Sequence, residues 1–127
     1  MNAINIKPFE IINSWQQHLN EENLSGVLKL YDISCVLIPT FSSEILTDYK
    51  QRKEYFVKVI EVQKVKVEFQ PNSISEQQVG ENMYLLSGKY FFHLMEKEKI
   101  SARFSFLVNL LSENSILHHH SSRIITN

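Results

Sequence analysis

The chain has 127 residues, enough for one domain that buries a core without disulfide or metal staples. Thirteen Lys and Arg stand against fourteen Asp and Glu, a formal net charge of -1, so no cationic excess exists to displace counterions from a nucleic acid. A single cysteine excludes an internal disulfide or a thiolate metal site, and no apolar run reaches the roughly 18 residues that would cross a bilayer.

The opening stretch, MNAINIKPFEII, has no basic segment leading into a long apolar one, which predicts no secretory signal and a cytoplasmic location. Residues 8–20 carry Phe9, Ile12, Trp15 and Leu19 on one helical stripe, with Pro8 suited to the first turn. Asn20, followed by Glu21 and Glu22, predicts a stop and a new helix start. The second helix is expected to reach about residue 31, turning Leu24, Val27, Leu28 and Tyr31 inward. Residues 35–39 form a short apolar strand ended by Pro39, with Cys35 as a buried, inert thiol. Residues 40–45 have strand or loop character. Thr47 is a candidate N-cap for a third helix over about 48–61, with Tyr49, Phe56, Val59 and Ile60 on its apolar side. The basic run at 50–53 is balanced by Asp48 and Glu54.

From residue 64 the period falls to two. Val65, Val67 and Phe69 alternate with Lys64, Lys66 and Glu68, which describes a half-buried strand. Pro71-Asn72 breaks it, 74–79 is a weaker and more polar strand, and Gly80-Glu81-Asn82 is a turn. Two long strands, 83–95 and 100–111, flank a charged tip at 96–99. A second tip at 112–115 leads into a last strand, 116–125. Short polar tips between consecutive strands predict antiparallel hairpins. The expected fold is a single α+β domain over 1–127: a cone-shaped, strongly curved antiparallel sheet with three N-terminal helices on its concave face.

Alternation sorts the long strands into two faces. Tyr84, Leu86, Gly88, Tyr90, Phe92 and Leu94 are expected inside, with Ala102, Phe104, Phe106, Val108 and Leu110. Outside lie Met83, Leu85, Ser87, Lys89, Phe91, His93 and Met95, with Ser101, Arg103, Ser105, Leu107 and Asn109. That outer face is too apolar for plain solvent and predicts a homo-oligomer packed through the sheet. Arg103, Phe91 and His93 are therefore interface candidates. Arg103 also has the chemistry of an anion anchor, but its parity favours an ion pair at the interface or surface.

The cluster His118, His119 and His120 holds the densest titratable chemistry. His118 and His120 share the parity of Ile116, which is expected inward, so both are placed at the pocket as acid–base candidates. His119 falls on the opposite face and is placed at the interface. Structural hydrogen bonding is the competing reading of all three, and a metal pair lacks a third ligand. Trp15, Tyr31, Phe56, Tyr90, Phe92, Phe104 and Phe106 are expected to line an apolar pocket. Asp32 and Glu44 are candidate carboxylate bases. No cofactor motif is present, and none is expected.

Four pieces, in this order and spacing, carry a family resemblance: VLIPTFSSE at 36–44, Tyr55-Phe56, ARFSF at 102–106 and HHHSS at 118–122. The sequence resembles the nuclear transport factor 2-like superfamily, also described as SnoaL-like or ketosteroid-isomerase-like. Within it, the nearer likeness is to small bacterial proteins similar to the association domain of calcium/calmodulin-dependent protein kinase II. The family's usual Asp-Gly-Lys-Trp-like turn before the last strand is replaced here by Ser112-Glu113-Asn114-Ser115. The resemblance implies a pocketed cone and self-association. It also implies a choice among isomerases, cyclases, dehydratases and non-catalytic binding or assembly domains. The isomerases' set of a carboxylate base with hydroxyl donors has no residue-by-residue match in this chain. Two readings follow. One is an oligomeric binding or assembly domain with an apolar pocket for a small ligand. The alternative is a small cofactor-independent isomerase, dehydratase or cyclase with His118 or His120 as acid–base group and Tyr90 or Tyr31 as donor.

Overall fold

The computed structural model describes residues 6–95 and 98–125. Half of the tip read at 96–99, the first five residues of the opening stretch and residues 126–127 lie outside the described residues. Helix α1 spans Pro8–Asn20 and buries Ile11, Ile12, Trp15 and Leu19, while Phe9 packs at the margin against Phe69. Helix α2, Leu24–Lys29, starts at Asn23, whose side chain accepts from the Gly26 N–H at 3.0 Å. It ends before Tyr31, which is not helical: strand β1, Tyr31–Ile38, begins there. Helix α3, Tyr49–Phe56, is capped by Asp48 rather than Thr47 and continues as a wider π-helical turn, Val57–Val62. Among the described residues, no helix is long and apolar enough to cross a membrane.

Strands β2 (Lys66–Phe69), β3 (Ser75–Gly80), β4 (Met83–His93), β5 (Lys99–Asn109) and β6 (Ile116–Arg123) complete a six-stranded sheet. Its order is β1-β6-β5-β4-β2, with β3 also on β4. All four pairings among β2 to β6 are antiparallel; β3–β4, β4–β5 and β5–β6 are the hairpins that the polar tips predict, whereas β2 pairs with β4 rather than with β3. β1 joins β6 in parallel, so the sheet is mixed. The exposed backbone of the short strand β2 is covered by α1: Asn20 exchanges two hydrogen bonds of 2.8 Å with Val67, and Gln16 accepts from the Phe69 N–H at 2.9 Å. These side chains do the work of a further strand and close the edge to other chains.

The last hairpin turn contains no glycine and is tied by side chains. Asn114 donates to the Lys29 carbonyl, and Ser115 Oγ donates to the Ser112 carbonyl, both at 2.5 Å. The helices cover the concave face, where Trp15 is the largest of the fully buried side chains. Leu86, Tyr90, Phe92, Phe104, Phe106 and Val108 rise toward it from β4 and β5, on the face their alternation predicts.

Candidate functional site

The concave face and helices enclose a cavity of about 20 Å3. α1 contributes Trp15 and Leu19; the end of β1 contributes Leu37, Pro39 and Thr40. Tyr55, Phe56 and Val59 come from α3 and its extension, Tyr90 and Phe92 from β4, and His119 and Ser121 from β6. That volume accommodates about one water molecule. No carboxylate is part of its wall.

One buried hydrogen-bonded chain runs along the polar edge of this cavity. Trp15 Nε1 donates to Tyr31 Oη at 2.9 Å, and Tyr31 Oη lies 2.8 Å from His119 Nδ1. His119 Nε2 lies 3.1 Å from Tyr90 Oη, which donates to Ser121 Oγ at 2.6 Å, and Ser121 Oγ bonds Thr40 Oγ1. The direction of the whole chain follows from its first member. An indole N–H can only donate, so Tyr31 accepts there and its own O–H is free to donate onward. The partner in reach is Nδ1, which therefore carries no proton. The neutral ring then holds its hydrogen on Nε2 and donates it to Tyr90. Tyr90 passes the direction to Ser121, and Ser121 to Thr40, whose hydroxyl hydrogen is left for the cavity side.

The electrostatics agree with a neutral ring. Burial, and secondarily the neighbouring His118 and His120, push His119 well below its ordinary range. Burial likewise raises the Tyr31 and Tyr90 hydroxyls far above theirs, so both stay protonated donors. His119 is also held from its faces: Phe106 stacks on it at 3.8 Å between centroids, and Trp15 meets it edge-on at 5.3 Å. The assignment predicts a nitrogen NMR spectrum of His119 in which Nε2 carries the proton and Nδ1 is an unprotonated acceptor across neutral pH. A ring protonated at Nδ1 would refute it.

This placement reverses the parity expected for the histidines. His119, not His118 or His120, faces the cavity; it is 3% exposed, whereas His120 is exposed and His118 half-buried on the outer face. The cause is a β-bulge. Val108 pairs with Ile116, but the next residue of β5, Leu107, pairs with His118, so Leu117 is an extra residue. Ile116 points inward as expected, and the insertion flips every side chain after it. His119 is consequently buried on the concave side and not on the outer face where its parity was expected to place it.

The other expected residues divide. Trp15, Phe56, Tyr90 and Phe92 touch the cavity. Tyr31, Phe104 and Phe106 are buried behind it, where Tyr31 and Phe106 hold His119 and Phe104 packs on Tyr90 at 4.7 Å. On the outer face, Arg103 is exposed and directly opposite Lys89, Phe91 is half-buried under Lys99 Nζ at 3.8 Å, and His93 Nε2 meets Glu68 at 3.0 Å. Asp32 and Glu44, the candidate carboxylate bases, do not line the cavity. Asp32 accepts from Ser34 N and Oγ, which lowers its carboxyl, and Glu44 lines an outer groove. The Cys35 thiol is buried and pushed up to about 12, chiefly by desolvation, as suits an inert side chain. Among the described residues, no three His, Cys, Asp or Glu side chains gather as a metal ion requires. Thr40, Tyr55 and Ser121 are cavity residues that periodicity did not place at the pocket, although each lies in one of the four pieces that carry the resemblance.

A curved mixed sheet wrapped around three helices, with a cavity at the heart of the cone, is the nuclear transport factor 2-like or cystatin-like fold. No protein-family model matches the sequence, and no curated protein sequence matches it. Among solved structures, the chain is similar to a candidate calcium/calmodulin dependent protein kinase II association domain from Xanthomonas campestris: 24% identity, TM-score 0.81, covering 94% of this chain and 86% of that one. It is also similar to a ketosteroid isomerase-like protein from Erwinia carotovora atroseptica, at 12% identity and TM-score 0.71 over 93% and 94% of the two chains. A third likeness is to an NTF-2 like protein of unknown function from Shewanella oneidensis, at 14% identity and TM-score 0.72 over 90% and 94%. At these identities the likeness shows the fold.

Proposed function

We propose that this chain is a self-associating domain that binds a small apolar molecule in its cone, rather than an acid–base enzyme. The observation that carries the reading is the cavity wall: aromatic and aliphatic throughout, with a single polar edge whose members already satisfy one another. A general base needs a free lone pair within reach of the substrate. Both ring nitrogens of His119 are engaged by tyrosine hydroxyls, its basicity is depressed, and no carboxylate stands beside it. His118 and His120 lie on the other side of the sheet.

The cavity is smaller than any organic ligand, but Tyr55 also lines a groove of about 370 Å3 outside it, with Phe41, Leu46 and Lys58. Tyr55 is thus the partition between cavity and groove, and turning it aside would join them into a pocket of ordinary ligand size. Thr40, at the end of the hydroxyl chain, is the donor that such a ligand would meet.

Self-association is supported by the outer face. Val36, His118, Leu107 and Leu85 lie side by side across four strands, a half-buried and largely apolar row. The likeness to a protein described as an association domain points the same way.

The test uses toluene as probe, titrated into isotope-labelled protein. Shifts are expected at Thr40, Tyr55 and His119, with binding about tenfold tighter in Tyr55→Ala, a gain of about 1.4 kcal/mol. Toluene leaving these resonances unmoved in both proteins would remove the pocket reading. Sedimentation should show a concentration-dependent dimer or larger species; a monomer at every concentration would remove self-association.

A further inference from the structure

Helix α3 carries a buried cation that the cone does not use. Arg52 is 1% exposed, and no carboxylate among the described residues lies within 4.0 Å of its guanidinium. An arginine offers five N–H donors. Here Nη1 donates to the Cys35 carbonyl at 3.0 Å and Nη2 to the Ile33 carbonyl at 3.3 Å. Those carbonyls belong to the part of β1 where pairing with β6 is interrupted, between Tyr31 and Val36. The end of the fork therefore replaces missing sheet bonds. Nε has no partner. The side edge of the fork, Nε with the remaining Nη2 hydrogen, is unpaired and lies just beneath the surface.

An unpaired edge of that shape takes two oxygens of one carboxylate or phosphate group in parallel bonds. Arg52 belongs to the floor of a groove of about 360 Å3 between α2, β1, α3 and the β5–β6 turn. Lys29 adds a second positive charge at the groove, Ser25 and Asn114 add polar groups, and no carboxylate lines it. Asp32 feels the Arg52 charge, but its Oδ2 is occupied by Ser34. Ile33 and Tyr49, 81% and 51% exposed, line the same groove.

We propose that this groove is an oxyanion-binding site, in which the unpaired edge of Arg52 receives a carboxylate or phosphate group and Lys29 closes over it. The site is independent of the cone cavity. A guanidinium out of water without a counter-charge is unfavourable, and a bound anion supplies what the chain itself does not.

The Nε–H resonance of Arg52 reads the unpaired edge directly. It is followed in the intact chain during separate titrations with sodium acetate and inorganic phosphate, with sodium chloride at matched ionic strength as reference. A saturable shift with an oxyanion and none with chloride is expected, with affinity about tenfold weaker in Lys29→Gln. Response to acetate alone assigns a carboxylate ligand, and response to phosphate alone assigns a phosphate ligand; either upholds the site. Arg52→Lys keeps the charge and loses the fork, so the accompanying shifts at the Tyr49 and Asn114 amides should vanish. A shift that never saturates, that chloride reproduces, or that Lys29→Gln leaves unchanged overturns the proposal. If Arg52→Lys fails to fold, the wild-type and Lys29→Gln titrations decide it.

Discussion

Replacing Trp15 with alanine is expected to remove about 3–5 kcal/mol of folding stability, the range for emptying a large buried aromatic site. The ring is 2% exposed and stands at the centre of the cone. It stacks on Tyr90 at 5.8 Å and meets Phe106 and His119 edge-on at 5.3 Å, with Phe69 at 6.1 Å. Every one of those neighbours is fixed by sheet or helix backbone, so the space cannot close by collapse. The indole also starts the hydroxyl chain. Without it, Tyr31 loses its donor and the direction of every later bond loses its cause. Trp15→Phe separates the two effects: it keeps most of the packing and deletes only the N–H, at a cost of about 1–3 kcal/mol. Urea unfolding followed by circular dichroism measures both, since Trp15 is the sole tryptophan and its fluorescence vanishes with it. A loss under about 1 kcal/mol for the alanine variant would mean that the site repacks and that the cavity is not held by this ring.

The fold was legible in the sequence wherever one physical signal acted alone. Alternation in β4 and β5 placed Tyr90, Phe92, Phe104 and Phe106 on the concave face because both strands are regular and one face meets the helices. The failures occur where a second constraint intervened. Tyr31 continues the helical spacing of Leu24, Val27 and Leu28, yet its backbone belongs to a strand: the Leu30 carbonyl already accepts from Ile116 N at 2.8 Å. Parallel pairing of β1 with β6 is a long-range choice that no local period encodes. The candidate site turned on a single inserted residue, Leu117, which exchanged the faces of three consecutive histidines. A bulge without glycine leaves no mark in composition. Arg52 sat in a basic run read only as balanced by Asp48 and Glu54; its bonds go to the carbonyls of β1 where pairing is interrupted, which only the assembled sheet reveals.

Between pH 6.5 and 5.5 the folded state is expected to lose at most about 1 kcal/mol of stability through His119. In the unfolded chain this imidazole titrates near 6.5; in the folded chain burial holds it well below that value. In the interval the unfolded state binds a proton that the folded state refuses, so stability falls as pH falls. The contribution is fully present above about 6.5 and is drained continuously down to the folded-state value. His118, partly buried and also lowered, acts in the same sense. Glu22, lowered first by its hydrogen bonds to Lys64 and Lys66, titrates below 4.5 and does not enter this window. The hydroxyl chain explains why the ring resists charging beyond burial alone. A doubly protonated ring would donate from both nitrogens. Tyr31 would then accept from Trp15 and from Nδ1 together, stranding its own hydrogen among Phe56 and the other buried rings. Urea unfolding at half-unit steps of pH measures the slope, and His119→Gln removes the titration while keeping a polar side chain. The variant should be less stable at pH 7.5 and flatter by about 1 kcal/mol per pH unit below 6.5. Equal slopes in the two proteins would mean that the folded ring accepts the proton, and with it that Nδ1 and Nε2 are not held as the chain from Trp15 to Thr40 requires.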